Sequence, residues 1–310
     1  MISVLFPGWF IGIAAYSVLM ANLILWGGVM IGLAALFRFL IPIPAFGRAC
    51  SRFAVWMASN WASGNRLIYR LFHDVRWEVD IRGELDPNKS YLLICNHQSW
   101  VDILLLFDIF HTRLPLVRFF LKRQLLYVPI IGPGCWVMDF PFMRRHSREA
   151  IEKNPALREQ DLKTIRRSCE IYKTVPVTVV NFVEGTRFSE AKRAETGSPF
   201  RHLLRPKSAG ISFALNAMGE QFAGLIDVTI AYQPTDKNLL WSFLRGEQSQ
   251  LAMHVDVRPI PQDLIAGDYQ GDAEFRTRFQ NWLNELWTRK DARLDRMIPG
   301  ERPATKARTT

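Results

Sequence analysis

The chain has 310 residues, 49% hydrophobic and 22% charged, which excludes wholesale disorder and leaves ample apolar surface for a core. Its four cysteines (Cys50, Cys95, Cys135, Cys169) form no CxxC pair, which argues against a disulfide framework or a structural zinc site and suits a reducing compartment. The formal charge of +10 calls for an anionic partner, and nucleic acid and anionic lipid both qualify on charge alone.

The N-terminal region separates those partners. Residues 1–37 carry no charge at all. A membrane span needs about 20 apolar residues, and this run exceeds that. It lacks the basic start of a signal peptide and is too long for one. Gly27, Gly28 and Gly32 fall within it, so it reads either as one tilted span or as a re-entrant hairpin broken near the glycines. Arg38, Arg48, Arg52, Arg66 and Arg70 follow with no acid among them, interleaved with Trp56 and Trp61. Arginine and tryptophan beside a span are what a membrane–water interface favours, and the basic excess puts this side in the cytoplasm. Nucleic-acid binding would explain the charge but not the uncharged start, so no nucleic-acid partner is expected. The expected organisation is an anchor over 1–40, a basic interfacial helix over 41–73, an α/β domain over 74–300 and a flexible polar tail over 301–310.

Residues 75–83 alternate as a half-buried strand, and 91–95 form a short buried one. Residues 100–110 read as helix, 136–142 as strand and 159–172 as a charged helix. The β-branched run 176–183 is strongly strand-like. A helix is expected over 208–218, strands over 224–232 and 251–257, and an amphipathic helix over 275–290. Strands alternating with helices predict an α/β fold, a mixed, mostly parallel sheet flanked by helices, with the N-terminal helical membrane anchor ahead of it.

Two motifs carry chemistry. Asn96-His97-Gln98-Ser99-Trp100-Val101-Asp102 leaves a predicted strand and opens a predicted helix. Histidine is the usual general base near neutral pH, and a carboxylate on one ring nitrogen fixes its tautomer. Five residues do not put His97 and Asp102 on one face of a continuous helix; the pair meets if His97 lies in the loop and Asp102 in the first helical turn. The second motif, Phe182-Val183-Glu184-Gly185-Thr186-Arg187, ends the strongest strand. Gly185 permits a tight turn, Arg187 can grip a phosphate bidentately, Thr186 adds a donor, and Glu184 can hold the arginine or orient a ligand. Taken alone, the first motif reads as a satisfied structural pair and the second as a strand-to-loop turn with a surface ion pair.

In combination they resemble the glycerolipid acyltransferase family, which includes the 1-acyl-glycerol-3-phosphate acyltransferases. Its pattern is NHxxxxD, then an arginine-ended block, then FxEGTR. Asn96-His97 to Asp102 matches the first block. Met138 to Arg145 looks like the second, with Arg144 or its neighbour Arg145 as the acceptor-binding arginine, and Phe182 to Arg187 matches the third. A fourth block would fall at 225–230 but lacks the usual prolines. The stretch from Arg187 through Lys192, Arg193 and His202 to Gly210 is similar to the lysocardiolipin and lysophosphatidylinositol acyltransferase-like branch.

The resemblance implies a membrane-bound acyltransferase that moves a fatty acyl group from acyl-CoA or acyl carrier protein to a lysophospholipid, 1-acyl-glycerol-3-phosphate first. His97 and Asp102 would be catalytic; Arg144, Glu184, Gly185, Thr186 and Arg187 would bind substrate. Neither a metal nor a cofactor is expected. The implied setting is anionic lipid at a bacterial inner membrane, with the catalytic domain cytoplasmic. Another lysophospholipid acceptor, or a catalytically silent lipid-binding protein, are the alternatives. A serine hydrolase lacks the GxSxG elbow it would need.

Overall fold

The uncharged start folds as one helix, α1, from Gly8 to Leu40. The computed structural model describes residues 6–73, 76–143, 156, 170–173, 175–235, 238–248, 250–265, 267, 269 and 271–298. The helix does not break at the glycines; Ile24–Ile31 takes π-helical geometry and continues. The reversal comes later, at residues 41–43, between Pro42 and the Pro44 that opens α2 (Pro44–Phe72). Proline is tolerated in a first helical turn, where its missing N–H has no partner to lose. The two helices form a hairpin. Asn22, near the middle of α1, donates to the Trp61 carbonyl (3.0 Å) and to Asn65 Oδ1 (2.9 Å). A side chain on Gly64 would collide with Asn22, so glycine there lets the polar contact close.

The hairpin lies along the α/β domain. The chain continues through β1 (Arg76–Arg82), β2 (Ser90–Cys95), α3 (Val101–Phe110), β3 (Val117–Phe119), β4 (Leu121–Lys122), α4 (Ile131–Val137), β5 (Phe142–Met143), β6 (Thr178–Phe182), α5 (Glu190–Thr196), α6 (Ser208–Met218), β7 (Phe222–Tyr232), α7 (Leu239–Leu244), β8 (Gln250–Arg258) and α8 (Ala273–Met297). Near its start α1 meets α7, where Gly12 faces Trp241 and Arg245. Further along, Gly27 faces Ile130. At its last turn Arg38 pairs with Asp139 at 2.7 Å and donates to the Val137 carbonyl. The outward face of α1 is apolar and exposed, including Trp9, Ile13, Tyr16, Leu25, Leu33 and Phe37.

Six strands form one sheet in the order β1-β8-β7-β2-β6-β3; β4 and β5 form a separate parallel pair. All neighbours in the main sheet are parallel except β7 and β8. This is the expected mixed, mostly parallel α/β architecture. Residues of β2 alternate between two cores. Leu93 and Cys95 face the hairpin and α3, while Leu92 and Ile94 face α6 and α8. A strand buried on both faces reads as a continuous apolar run, as Tyr91-Leu92-Leu93-Ile94 does.

One sequence expectation fails. Residues 136–142 are not a strand: Trp136 and Val137 end α4, and only Phe142 and Met143 pair with β4. The apolar run is bent by tertiary contacts. Asp139 takes a left-handed φ of 61°, held by Arg38 and by Ser51 Oγ at 2.5 Å. Most of the expected helix over 159–172, together with Arg144, Arg145 and the tail over 301–310, lies outside the described residues. The sequence pattern does not announce β3, β4, α4, α5 or α7, all short.

Candidate active site

β2 ends at Cys95, and the next residue ties two strands together. Asn96 Nδ2 donates to the Ile230 carbonyl, and Ile230 N–H donates to Asn96 Oδ1, both at 2.9 Å. The chain then loops and enters α3, with His97 in the loop and Asp102 in the first turn. His97 Nδ1 lies 2.8 Å from Asp102 Oδ2. The same oxygen accepts the N–H groups of Gln98 (2.7 Å) and Ser99 (2.9 Å), so the carboxylate shapes the loop that presents the histidine. Its other oxygen accepts the Tyr232 hydroxyl at 2.5 Å. Burial, and then the Asp102 charge, push the Tyr232 phenol well above its ordinary range, so it stays a donor. Asp102 is fully buried while the His97 side chain keeps 16% exposure. An ionised carboxylate only accepts, so in the neutral ring the proton sits on Nδ1 and Nε2 keeps its lone pair. The imidazole is stacked on Phe182, with ring centroids 4.0 Å apart.

Tyr232 lies 130 residues from Asp102 and no local pattern announces it. Its one sequence signal is its position at the end of an expected strand.

The second motif folds back on the first. Phe188 N–H donates to the His97 carbonyl at 2.7 Å. Glu184 forms no ion pair with Arg187 among the described residues. It is 1% exposed, and its two oxygens accept the N–H groups of His97 (3.0 Å) and Leu204 (2.8 Å). Burial raises its carboxyl to about 7 against the lowering effect of those two bonds. Glu184 is therefore a clamp on the histidine loop. Gly185 has φ +71°, a conformation open to glycine at no cost. Arg187 is exposed, its guanidinium 5.4 Å from the centre of the Trp100 ring. Lys192 Nζ donates to Thr186 Oγ1 (2.8 Å) and to the Arg187 carbonyl (3.0 Å), and the Lys207 side chain lies against Gly185. One arginine and two lysines thus gather on the turn beside His97. The lysines stood in the sequence only as members of a basic stretch. Other charges of that stretch are spent internally: Arg201 and His202 pair with Asp295, and Arg205 donates to the Gly197 carbonyl. Among the described residues no cluster of histidine, cysteine and carboxylate side chains could hold a metal ion.

A family profile described as Acyltransferase matches residues 76–233, half of the chain, from β1 to just past β7. The chain belongs to this family. The chain is 26% identical over 249 residues to a 2-acyl-1-lysophosphatidylinositol acyltransferase of Saccharomyces cerevisiae, covering 66% of this chain and 60% of that protein. It is 26% identical over 222 residues to 1-acyl-sn-glycerol-3-phosphate acyltransferase 2 of Arabidopsis thaliana, covering 68% and 52%. The chain thus spans little more than half the length of these relatives. Among solved structures it resembles the 1-acyl-sn-glycerophosphate acyltransferase PlsC of Thermotoga maritima, with a TM-score of 0.51 at 17% identity, covering 92% of this chain and 95% of that one. That likeness extends the shared fold beyond the family match to the N-terminal hairpin.

Proposed function

We propose that this acyltransferase moves a fatty acyl group from a thioester to the free hydroxyl of a lysophospholipid, with 1-acyl-glycerol-3-phosphate as first acceptor. The observation that carries the reading is His97, its Nδ1 engaged by buried Asp102 and its Nε2 free, beside a turn carrying Arg187, Lys192 and Lys207. Nε2 takes the proton from the acceptor hydroxyl as its oxygen attacks the thioester carbonyl. Asp102, backed by Tyr232, stabilises the imidazolium. The tetrahedral intermediate collapses, the C–S bond breaks, and the leaving thiolate recovers the proton from His97. Arg187 and the two lysines supply a fork and two point charges for the acceptor phosphate; Gly185 and Thr186 form the turn that carries them. Arg144 remains a proposed acceptor contact on the family resemblance alone. The donor is acyl-CoA or acyl carrier protein, and no cofactor is invoked.

The hairpin supplies the membrane attachment in this reading. α1 is long and apolar enough to cross a bilayer. However, it touches the α/β domain near both ends, at α7 and at Asp139. A helix so held fits better in the plane of one leaflet, its exposed apolar face sunk about 5–10 Å. Of the five arginines, Arg38 and Arg66 are paired with Asp139 and Asp108, which leaves Arg48, Arg52 and Arg70 exposed to meet anionic headgroups. The setting proposed is the cytoplasmic face of a bacterial inner membrane.

The test is thiol release from a labelled acyl thioester by membranes carrying wild-type protein or His97→Ala. The acceptor panel starts with lysophosphatidic acid and includes lysophosphatidylinositol, which the yeast relative's name recommends. Acceptor-dependent release should fall ~10²–10⁴-fold in the variant. Undiminished turnover in His97→Ala would defeat the mechanism, and release without any acceptor would make the protein a thioesterase.

A further inference from the structure

A cavity of about 400 Å³ lies between the end of α2, the far end of α3 and β1. It shares no residue with the His97 site. Asp108, on its wall, lies six residues along α3 from Asp102, about 9 Å along the helix axis at 1.5 Å per residue. Its lining is basic. Arg66 is matched: Nε meets Asp108 Oδ1 at 2.6 Å, and the guanidinium also donates to the Asp108 carbonyl. Arg70 and Arg113 are exposed at the rim and have no carboxylate partner among the described residues. Two positive charges are therefore uncompensated around one cavity.

Deeper in, the polar groups are unmatched. Tyr69 is 2% exposed and its hydroxyl has no hydrogen-bond partner; His73 is 3% exposed and neither ring nitrogen has one. Buried polar atoms in folded proteins are nearly always paired, so three orphans around one cavity mark a place where something polar sits. Water satisfies neutral groups but does not neutralise two guanidinium charges. An oxyanion does both, because it accepts from the phenol, from an imidazole N–H and from arginine forks. Burial lowers His73 to about 4, which keeps the ring neutral at physiological pH, with one nitrogen donating.

The helix beside the cavity indicates what carries the anion. Leu67 and Leu71 do not line it, but they follow Arg66 and Arg70 in sequence with the same four-residue spacing and are exposed, 58% and 48%. A cationic cavity with exposed leucines on the neighbouring stripe of the same helix suits an amphiphile whose phosphate enters and whose chains stay outside. We infer that this cavity is a second phosphate site, separate from the acceptor site, that seats the headgroup of an anionic phospholipid. The inference rests on the membrane reading above only for the source of the phosphate.

Trp77 lines the cavity and reports on it. Full-length protein in neutral detergent would be titrated with dihexanoylphosphatidylglycerol, and separately with inorganic phosphate. The signal is the change in fluorescence present in wild type and absent in Trp77→Phe. Saturation by the short-chain lipid is expected at a concentration at least tenfold below that for inorganic phosphate. The apparent affinity should fall at least tenfold in Arg70→Glu/Arg113→Glu, whose substitutions are at exposed positions. It should fall severalfold in Tyr69→Phe, which keeps the ring and its packing. Arg187→Ala should leave it unchanged. Absence of a Trp77-dependent signal, or equal loss in Arg187→Ala, would overturn the site. Equal response to inorganic phosphate would overturn the lipid assignment and give the cavity to a soluble phosphate.

Discussion

Asp102 makes four hydrogen bonds from a fully buried position, and this density fixes one orientation of His97. Two donors are backbone amides of the same loop and survive any side-chain change. Tyr232 is the one remote donor and can be removed alone. Tyr232→Phe should lower kcat about tenfold while leaving acceptor KM unchanged, since a hydrogen bond to a charged group contributes ~1.5–3 kcal/mol. Steady-state kinetics beside a melting curve separate the cases: lost stability with unchanged kcat would reduce Tyr232 to packing. The His97–Asp102 pair was legible in the sequence because the chemistry needs both residue types within one strand-to-helix turn. Glu184 was legible as important but not for its use. An acid preceding Gly-Thr-Arg suggests an ion pair, whereas the fold turns its carboxylate inward onto the amides of His97 and Leu204. Its partners come from two distant segments, and backbone donors leave no mark in a sequence.

At the scale of elements, α8 shows how a surface-looking helix can hide an ionic core. Its period predicts one apolar face, which Phe279, Leu283 and Trp287 occupy. Lys290 continues that face and is fully buried. Its ammonium lies 2.5 Å from Asp227 Oδ1 on β7 and also donates to the Val228 carbonyl, while Arg293 approaches the second Asp227 oxygen at 3.5 Å. Although burial opposes ionisation, Lys290 and Arg293 hold the Asp227 carboxyl below its usual range. Removing one partner strands the other charge. Lys290→Ala should cost ~3–5 kcal/mol, whereas Lys290→Met with Asp227→Leu and Arg293→Met, which removes all three charges together, should lie close to wild type. Urea midpoints would decide, and a mild single variant would show that Arg293 suffices. Helix and strand were each readable from periodicity, but their ion pair joins positions 63 apart in a chain and was not. The strand misread at 136–142 has a similar cause. Its residues are apolar enough for a strand, yet Arg38 and Ser51, contributed by the hairpin, hold Asp139 in a left-handed turn.

The whole molecule carries two buried titratable groups whose effects oppose. Folded Glu184 holds its proton to about 7, against 4.5 unfolded, so the unfolded chain loses protons first and stability falls as pH rises across that window. Folded His73 takes a proton only near 4, against 6.5 unfolded, so stability rises with pH from about 4 to 6.5. The two contributions offset where they overlap. Glu184→Gln should expose the His73 slope, a rise of up to ~3 kcal/mol between pH 4 and 6.5. Chemical denaturation at a series of pH values measures it, and an unaltered profile in that variant would show that Glu184 does not titrate in this range. Fold class and the order of the main elements were accessible from the sequence because a doubly covered sheet imposes apolar runs and helical periods. The packing of the hairpin on the domain was not, since an uncharged helix has the same composition whether it stands clear of its domain or lies along it.

That posture has a consequence for how rate depends on substrate. α1 and α2 run along the domain, and the apolar outer face of α1 defines one side of the molecule. In the proposed attachment the protein rests on a leaflet by that side and searches in two dimensions. The quantity it senses is the number of acceptor molecules per unit area, not per volume. Diluting lysophospholipid with inert phospholipid in vesicles, at constant bulk acceptor, should slow turnover in proportion to the surface fraction once that fraction is subsaturating. Rates that follow bulk concentration alone would mean that acceptor is drawn from solution. A cell could then throttle this enzyme without touching it, by expanding the membrane around its substrate.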